Sequence, residues 1–195
     1  MDKKSNAKRN LILDKAKNVF ILKGFASVTM KDIIEECQIS RGGIYLYFKS
    51  VDEIFMRVIE IHNQQKMKEV KKYISEDKSF EQVINEYLQK QKNRLMNLNN
   101  SLLIAMYEYR FANRDDEHRE FFRNQFVYTK DIVLDILNYG FKKNGEKSRD
   151  ADALAASVVL LIEGISVLAI TVGVSEDFID GQIKTIKELI LNERR

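Results

Sequence analysis

Two helix starts stand eleven residues apart in residues 28–48, which read V-T-M-K-D-I-I-E-E-C-Q-I-S-R-G-G-I-Y-L-Y-F. Thr29 is a good N-cap, and Asp32 sits three residues later where a capping-box acid belongs. A helix therefore starts at Met30 and turns Ile33 and Ile34 toward a core. Ser40 is the second N-cap, opening a helix that carries Arg41, Ile44, Tyr45 and Tyr47 and closes at Phe48. Helices this short are not stable alone, so they must pack against each other and a neighbour. Ile39, inside the connection, sets their angle. Arg41, Gly42, Gly43 and Tyr45 are left on the outer side of the second helix. This is the pattern of a helix-turn-helix whose second helix can enter a DNA major groove.

The flanking residues extend the pattern. Ile12, Ala16, Val19 and Phe20 fall on one face of a helix over residues 10–23, ended by Gly24. Residues 1–8, with three lysines and few apolar side chains, read as a mobile arm or frayed first turn. Ser50 and Glu53 form a capping box opening a helix over about 51–73, whose inner face is Ile54, Phe55, Val58 and Ile61. With Gly24-Phe25, Thr29-Met30, Asp32-Ile33, Ile39-Ser40-Arg41-Gly42, Ile44-Tyr45 and Tyr47-Phe48, residues 12–54 resemble the DNA-binding domain of the TetR family of bacterial regulators. The resemblance implies an all-α homodimer of about nine helices. An N-terminal three-helix helix-turn-helix domain (1–50) would precede a C-terminal helical bundle for effector binding and dimerisation (51–195). The chain departs from the family pattern at Gln38, where Gly is usual in the turn, at Ile34, where Ala is usual, and at Val51, where Lys is usual. Gln38 must then adopt a backbone conformation that Gly takes at less cost.

Charge agrees with contact to phosphates at one end. Residues 1–50 hold ten of the 32 Lys/Arg but five of the 29 Asp/Glu, leaving 22 against 24 in the remainder. The DNA-contacting residues are expected to be Thr29, Ser40, Arg41, Gly42, Gly43, Tyr45, Tyr47 and Lys49. Tyr45 and Tyr47 have phenol hydroxyls for phosphates, as the resemblance also implies. Thr29 and Ser40 offer hydroxyls or helix-start N–H groups, and Arg41 reaches a phosphate or a guanine edge. Lys49 suits the backbone, and the two glycines permit close approach.

Composition makes all-α the default: 195 residues, 45% hydrophobic, no proline and only 8 glycines. One cysteine, Cys37, excludes an intramolecular disulfide framework and reads as a packed thiol. The N-terminus has no charged-then-apolar signal segment, so a cytoplasmic protein is expected. The fourth helix is polar from His62 to Lys72, which suits a rigid link between two domains. Ser79 and Gln82 open a further helix to about Met96, carrying Phe80, Val83, Ile84, Tyr87, Leu88 and Leu95. Residues 102–112 are dense in apolar and aromatic side chains. A longer helix over about 118–142 follows, with Gly140 and Gly145 at its end.

Seven of the 19 aromatic residues lie between Tyr107 and Tyr128. Two readings stand, a filled core or the wall of an apolar effector pocket. Under the second, Tyr107, Phe111, Phe122 and Phe126 line it, Glu108 and Arg110 are polar candidates, and His62 and Glu163 are further effector contacts. His62 also reads as an ordinary junction histidine, and Glu163 as a hydrogen-bonded interface residue. Residues 153–174 carry one charge, Glu163, and 22 residues could cross a bilayer. A central acid costs about 2.5–3.5 kcal/mol there, and the flanks lack aromatic anchors, so no membrane insertion is expected. Small residues Ala155, Ala156, Gly164 and Ser166 instead suit close packing between subunits. The dimer is expected through helices at about 150–174 and 176–193, the latter capped by Ser175 and carrying Ile179, Ile183, Ile186 and Ile190.

No catalytic constellation, glycine-rich phosphate loop or local metal-ligand spacing occurs. No enzyme, metal or cofactor is therefore expected. The expected function is a ligand-responsive repressor, released from double-stranded DNA bearing a palindromic operator by a small, largely apolar effector. The alternative is an architectural or cell-division factor of the same fold that binds DNA without an effector.

Overall fold

A computed structural model describes residues 3–145 and 150–192. The described residues form nine α-helices and no strand: α1 (Lys3–Lys23), α2 (Met30–Cys37), α3 (Arg41–Tyr45), α4 (Val51–Ser75), α5 (Phe80–Met96), α6 (Leu103–Ala112), α7 (Asp116–Asn144), α8 (Ala151–Thr171) and α9 (Glu176–Asn192). A short 3₁₀ turn at Leu98–Asn100 precedes α6.

The capping chemistry sets most boundaries. At α2 the Thr29 hydroxyl accepts from the Asp32 N–H, and the Asp32 carboxylate accepts from the Thr29 N–H at 2.7 Å. The Ser79–Gln82 capping box opens α5 in the same way. At α4 the Glu53 N–H donates to Ser50 Oγ at 3.0 Å, but the Glu53 carboxylate reaches back to the Lys49 N–H rather than to that of Ser50. Gln38 closes α2 with φ 53 and ψ 43, the left-handed conformation expected of it. Its N–H donates to Glu35 O and the Ile39 N–H to Ile34 O, so two otherwise orphaned helix carbonyls are satisfied.

Four boundaries differ from the sequence reading. α1 begins at Lys3 rather than at residue 10, because residues 3–9 contain no breaker and continue the helix at low cost. α7 begins at Asp116, ahead of residue 118, with Asp115 Oδ1 accepting from the His118 N–H. Gly140 lies inside α7 instead of ending it, and a Cβ there would stand closer than 3.0 Å to the Phe80 ring. The glycine is needed for close helix packing. α3 is also shorter than the 40–48 stretch, since the Tyr47 and Phe48 N–H groups both turn onto Ile44 O.

The described chain divides into two compact units, residues 1–62 with 98–119 and residues 63–97 with 120–195. In the first, Ile12, Ala16, Phe20, Ile33, Ile44 and Phe48 form a closed core. Next to it the rings of Phe20, Phe25, Phe55 and Tyr109 meet, with Phe25–Tyr109 centroids 4.5 Å apart and Phe55–Tyr109 centroids 4.9 Å apart. α6 thus belongs to the unit that contains the helix-turn-helix. In the second unit α5, α8 and α9 pack together. Val83, Ile84 and Leu88 meet a core that includes Val158, Ile162 and Ile186. The whole length of α8 meets the criterion of a membrane-crossing helix by length and composition, yet Leu154, Ala155, Val158, Val159, Ile162 and Ile165 are buried against protein. Its opposite side remains apolar and open.

Candidate functional site

The helix-turn-helix presents its outward residues as a short, rigid surface. Ser40 Oγ accepts from the Gly43 N–H at 3.1 Å, which fixes the first turn of α3. Ile44 is fully buried, so α3 is anchored by one face and its other face is free. On that face lie Arg41, Gly42 and Tyr45, with the Arg41 guanidinium 5.9 Å from the Tyr45 ring centroid. A Cβ at Gly42 would meet nothing within 4 Å. Tyr47 is half-buried, and Lys49 is exposed just before α4. Neither Arg41 nor Lys49 forms an ion pair among the described residues. Both cations are therefore available to phosphates.

Thr29 is placed differently from the rest. Its hydroxyl lies 2.6 Å from Asp32 Oδ2, so the capping box uses it. Asp32 is tied in turn to Lys23 Nζ at 2.5 Å. That ammonium, with the Thr29 hydroxyl and N–H, holds the Asp32 carboxyl well below the usual carboxylate range. Cys37 is buried with Sγ 4.0 Å from Ile12 O, and burial pushes its thiol pKa up, away from reactivity.

Leu46 and Arg9 of this region were not singled out from the sequence. Leu46 is 83% exposed, a large aliphatic side chain between Tyr45 and Tyr47. Phe48 is buried beneath the Arg9 guanidinium, which lies 4.8 Å from its ring centroid. The Y-L-Y-F alternation signals an outward Leu46, but an apolar side chain is ordinarily assigned inward.

The connection between α1 and α2 is held from α6. Glu108 Oε2 accepts from the Phe25 N–H at 2.6 Å and the Ala26 N–H at 3.0 Å. Gly24 has φ +73, and a Cβ there would collide with the Glu108 carboxylate. Glu108 therefore anchors a turn of the first unit. His118 Nδ1 lies 2.6 Å from Asp115 Oδ2, and its Nε2 3.4 Å from Asp52. Burial alone would lower its pKa, but hydrogen bonds to the two carboxylates win and raise it. Burial also holds the Tyr109 phenol protonated, and Asp52 adds to that effect.

The sequence-derived effector residues fall in both units. His62, Tyr107 and Phe111 belong to the first; Phe122, Phe126 and Glu163 belong to the second. Tyr107 is buried with its ring centroid 6.0 Å from that of Phe111, which is 59% exposed. Phe122 and His62 are half-buried and Phe126 is exposed. The second unit also holds buried polar residues, of which the sequence reading named only Ser166, as a packing surface between subunits rather than as part of this core. Gln91 and Ser166 are buried, and Asn63 donates to Gln125 Oε1 at 2.7 Å. Among the described residues no group of His, Cys, Asp and Glu is arranged to hold a metal ion.

Comparison with known proteins gives two family matches. A model described as bacterial regulatory proteins, tetR family, matches residues 12–58, and one described as tetracyclin repressor-like, C-terminal domain, matches residues 83–180. An uncharacterized HTH-type transcriptional regulator, YfiR of Bacillus subtilis (strain 168), is 37% identical over 116 residues, covering 59% of this chain and 56% of that protein. The chain thus spans about half the length of that curated relative. Among solved structures, the reduced form of NemR from E. coli aligns at TM-score 0.77 and 14% identity, covering 94% of this chain and 97% of that one. FadR from Bacillus subtilis, in complex with stearoyl-CoA, aligns at TM-score 0.72 and 17% identity, covering 95% and 99%. At these identities the structural likeness establishes the fold.

Proposed function

Because this chain belongs to the TetR family of bacterial regulatory proteins, we propose that it is a cytoplasmic homodimeric repressor that leaves a palindromic operator when a small effector binds. The observation that carries this reading is the anchored α3, with Ile44 buried beneath it and Arg41, Gly42, Tyr45 and Leu46 turned outward. Arg41 and Lys49 take phosphates or a guanine edge, and Tyr45 and Tyr47 donate their hydroxyls to phosphates. Leu46 adds an apolar contact of the kind that reads a thymine methyl. Thr29 acts chiefly by capping α2 and contributes to DNA through the helix start. The domain boundary at residue 50 is functional, separating DNA-contacting residues from the rest.

The homodimer is supported by the open side of α8. Leu160, Leu161, Val167 and Leu168 are 63%, 39%, 38% and 42% exposed, and Phe178 and Leu189 of α9 are exposed with them. Leu160, Gly164, Val167 and Leu168 repeat at i, i+4, i+7 and i+8, one stripe along the helix. An apolar stripe on two neighbouring helices is the surface that a second copy covers in a four-helix interface. Two copies of α3 would then enter successive major grooves about 34–36 Å apart. An effector in the C-terminal bundle would favour a dimer with wrongly spaced recognition helices, a coupling of about 1–3 kcal/mol.

Selection from a random duplex library with the purified chain tests the reading. It requires an enriched palindrome, bound at least tenfold more weakly by Tyr45→Ala with dimer and helix content unchanged. Salt-sensitive binding with no enriched motif would mean an architectural DNA-binding role instead.

A further inference from the structure

Within the second unit, α5 carries Tyr87, Gln91 and Arg94 at i, i+4 and i+7, on the same side as the core residues Ile84, Leu88 and Leu95. A helix side that meets a core does not ordinarily hold an arginine. Arg94 Nη2 donates to Ser166 Oγ on α8 at 3.5 Å, a long bond, and Ser166 is itself fully buried with its hydroxyl donated to Ile162 O at 2.7 Å. Arg94 Nε is shielded from solvent and has no hydrogen-bond partner among the described residues. Lys66, on α4, faces the same region. Arg94 and Lys66 interact as like charges, and Glu163 on α8 also acts on Lys66. Neither Lys66 nor Arg94 forms an ion pair among the described residues. Glu69, the other acid near Lys66, is engaged by Lys90 at 2.5 Å.

Two half-buried cations near each other, without ion-pair partners, are an unfavourable arrangement for the fold alone. Burial, with repulsion from Arg94, brings the Lys66 pKa down to about 7. Burial also raises that of Tyr87 to about 12, so its hydroxyl remains a neutral donor. Every one of these groups can donate a hydrogen bond: the Lys66 ammonium, the Arg94 Nε and Nη groups, the Gln91 amide and the Tyr87 phenol. Arginine presents its donors as a planar fork that fits a carboxylate with two bonds. The surroundings on α5 and α8 are aliphatic.

We propose that Lys66, Tyr87, Gln91 and Arg94, gathered between α4, α5 and α8, bind the anionic head of an organic acid whose apolar body lies among the aliphatic side chains of the same helices. The inference rests on the reading of this bundle as the effector domain, and it supplies the chemical class of the effector. Glu163 is one negative charge facing two cations, and a bound carboxylate supplies the second. An amine would add a third cation, and an alcohol would leave the two cations one counter-charge short.

Binding is measured on the full chain without DNA, by calorimetry, with octanoate, dodecanoate and 4-phenylbutyrate, each beside its matching alcohol and primary amine. At least one acid binds about tenfold or more tightly than its alcohol and its amine, as a charge-assisted pair requires. Arg94→Met and Lys66→Met each remove that preference and leave the affinity for the alcohol in place. Should Arg94→Met fail to fold, Lys66→Met carries the test, because it deletes one of two repelling cations and keeps the volume of the side chain. Absence of binding by all three acids, stronger binding of an amine, or a preference for acid that survives Lys66→Met would each overturn the proposal. The two readings fail separately. An acid that binds with this preference yet leaves a selected duplex bound refutes effector-controlled release and keeps the anion site; a selected duplex with no acid binding does the reverse.

Discussion

Gly140→Ala sets two effects of opposite sign against each other at one atom. In an open helix interior the change gains about 0.5–1 kcal/mol, because alanine restricts the unfolded chain and suits the helix. At Gly140 the new Cβ would stand closer than 3.0 Å to three atoms of the Phe80 ring, including Cγ where the ring joins its stem. Ring rotation cannot relieve a contact at Cγ, and both residues are buried, so the ring or the helices must shift. Overpacking of this kind costs about 1–3 kcal/mol, and the close approach of three ring atoms places it near the upper end. The net expectation is a loss of about 2 kcal/mol, or about 4–8 °C in Tm for a chain of this length. Urea unfolding of Gly140→Ala, Phe80→Leu and the double variant measures it. The double variant should be at least about 1 kcal/mol more stable than the sum of the single changes implies. A more stable Gly140→Ala, or strict additivity, would refute the packing argument.

At Gln38 the left-handed backbone costs a non-glycine residue about 1–2 kcal/mol, partly offset by the unfolded-state freedom of glycine; Gln38→Gly should therefore raise the free energy of unfolding by about 0.5–1 kcal/mol, measured by urea denaturation. Glu108→Gln keeps the shape but weakens two charge-assisted bonds to Phe25 and Ala26, and should cost about 1–2 kcal/mol with faster amide exchange at those two N–H groups. His118 has a folded pKa raised above its unfolded value. Its contribution is complete below about pH 6.5 and is lost as pH rises through the folded value. Unfolding measured at several pH values should show that decline, and His118→Gln should flatten it.

The helix-turn-helix was legible because its signals are local. Thr29, Asp32 and Ser40 act on N–H groups three residues away, and Gln38 stands where the turn requires a left-handed residue, so their roles can be read from spacing. What could not be read depends on distant partners. Gly140 looks like a helix end until Phe80, sixty residues earlier, is placed against it. Glu108 looks like a polar group in an aromatic stretch, and its partners Phe25 and Ala26 lie more than eighty residues away. The aromatic run 107–128 read as one feature, but Tyr109 joins the rings of Phe25 and Phe55 while Phe122 and Phe126 belong to the other unit. Gln91 and Arg94 did carry a sequence signal. They share the helical period of Ile84, Leu88 and Leu95, and a count of apolar positions alone passes over polar side chains that occupy the same face.

Under the proposed function, α3 reads the major groove from two copies of the chain at once. Methylation interference on a selected duplex tests it most directly, since guanine N7 methyl groups lie in that groove. Two patches of interference are expected, centred about one helical turn apart and related by a two-fold axis, with Tyr45→Ala weakening binding at both. A single patch, or binding indifferent to major-groove methylation, would contradict it.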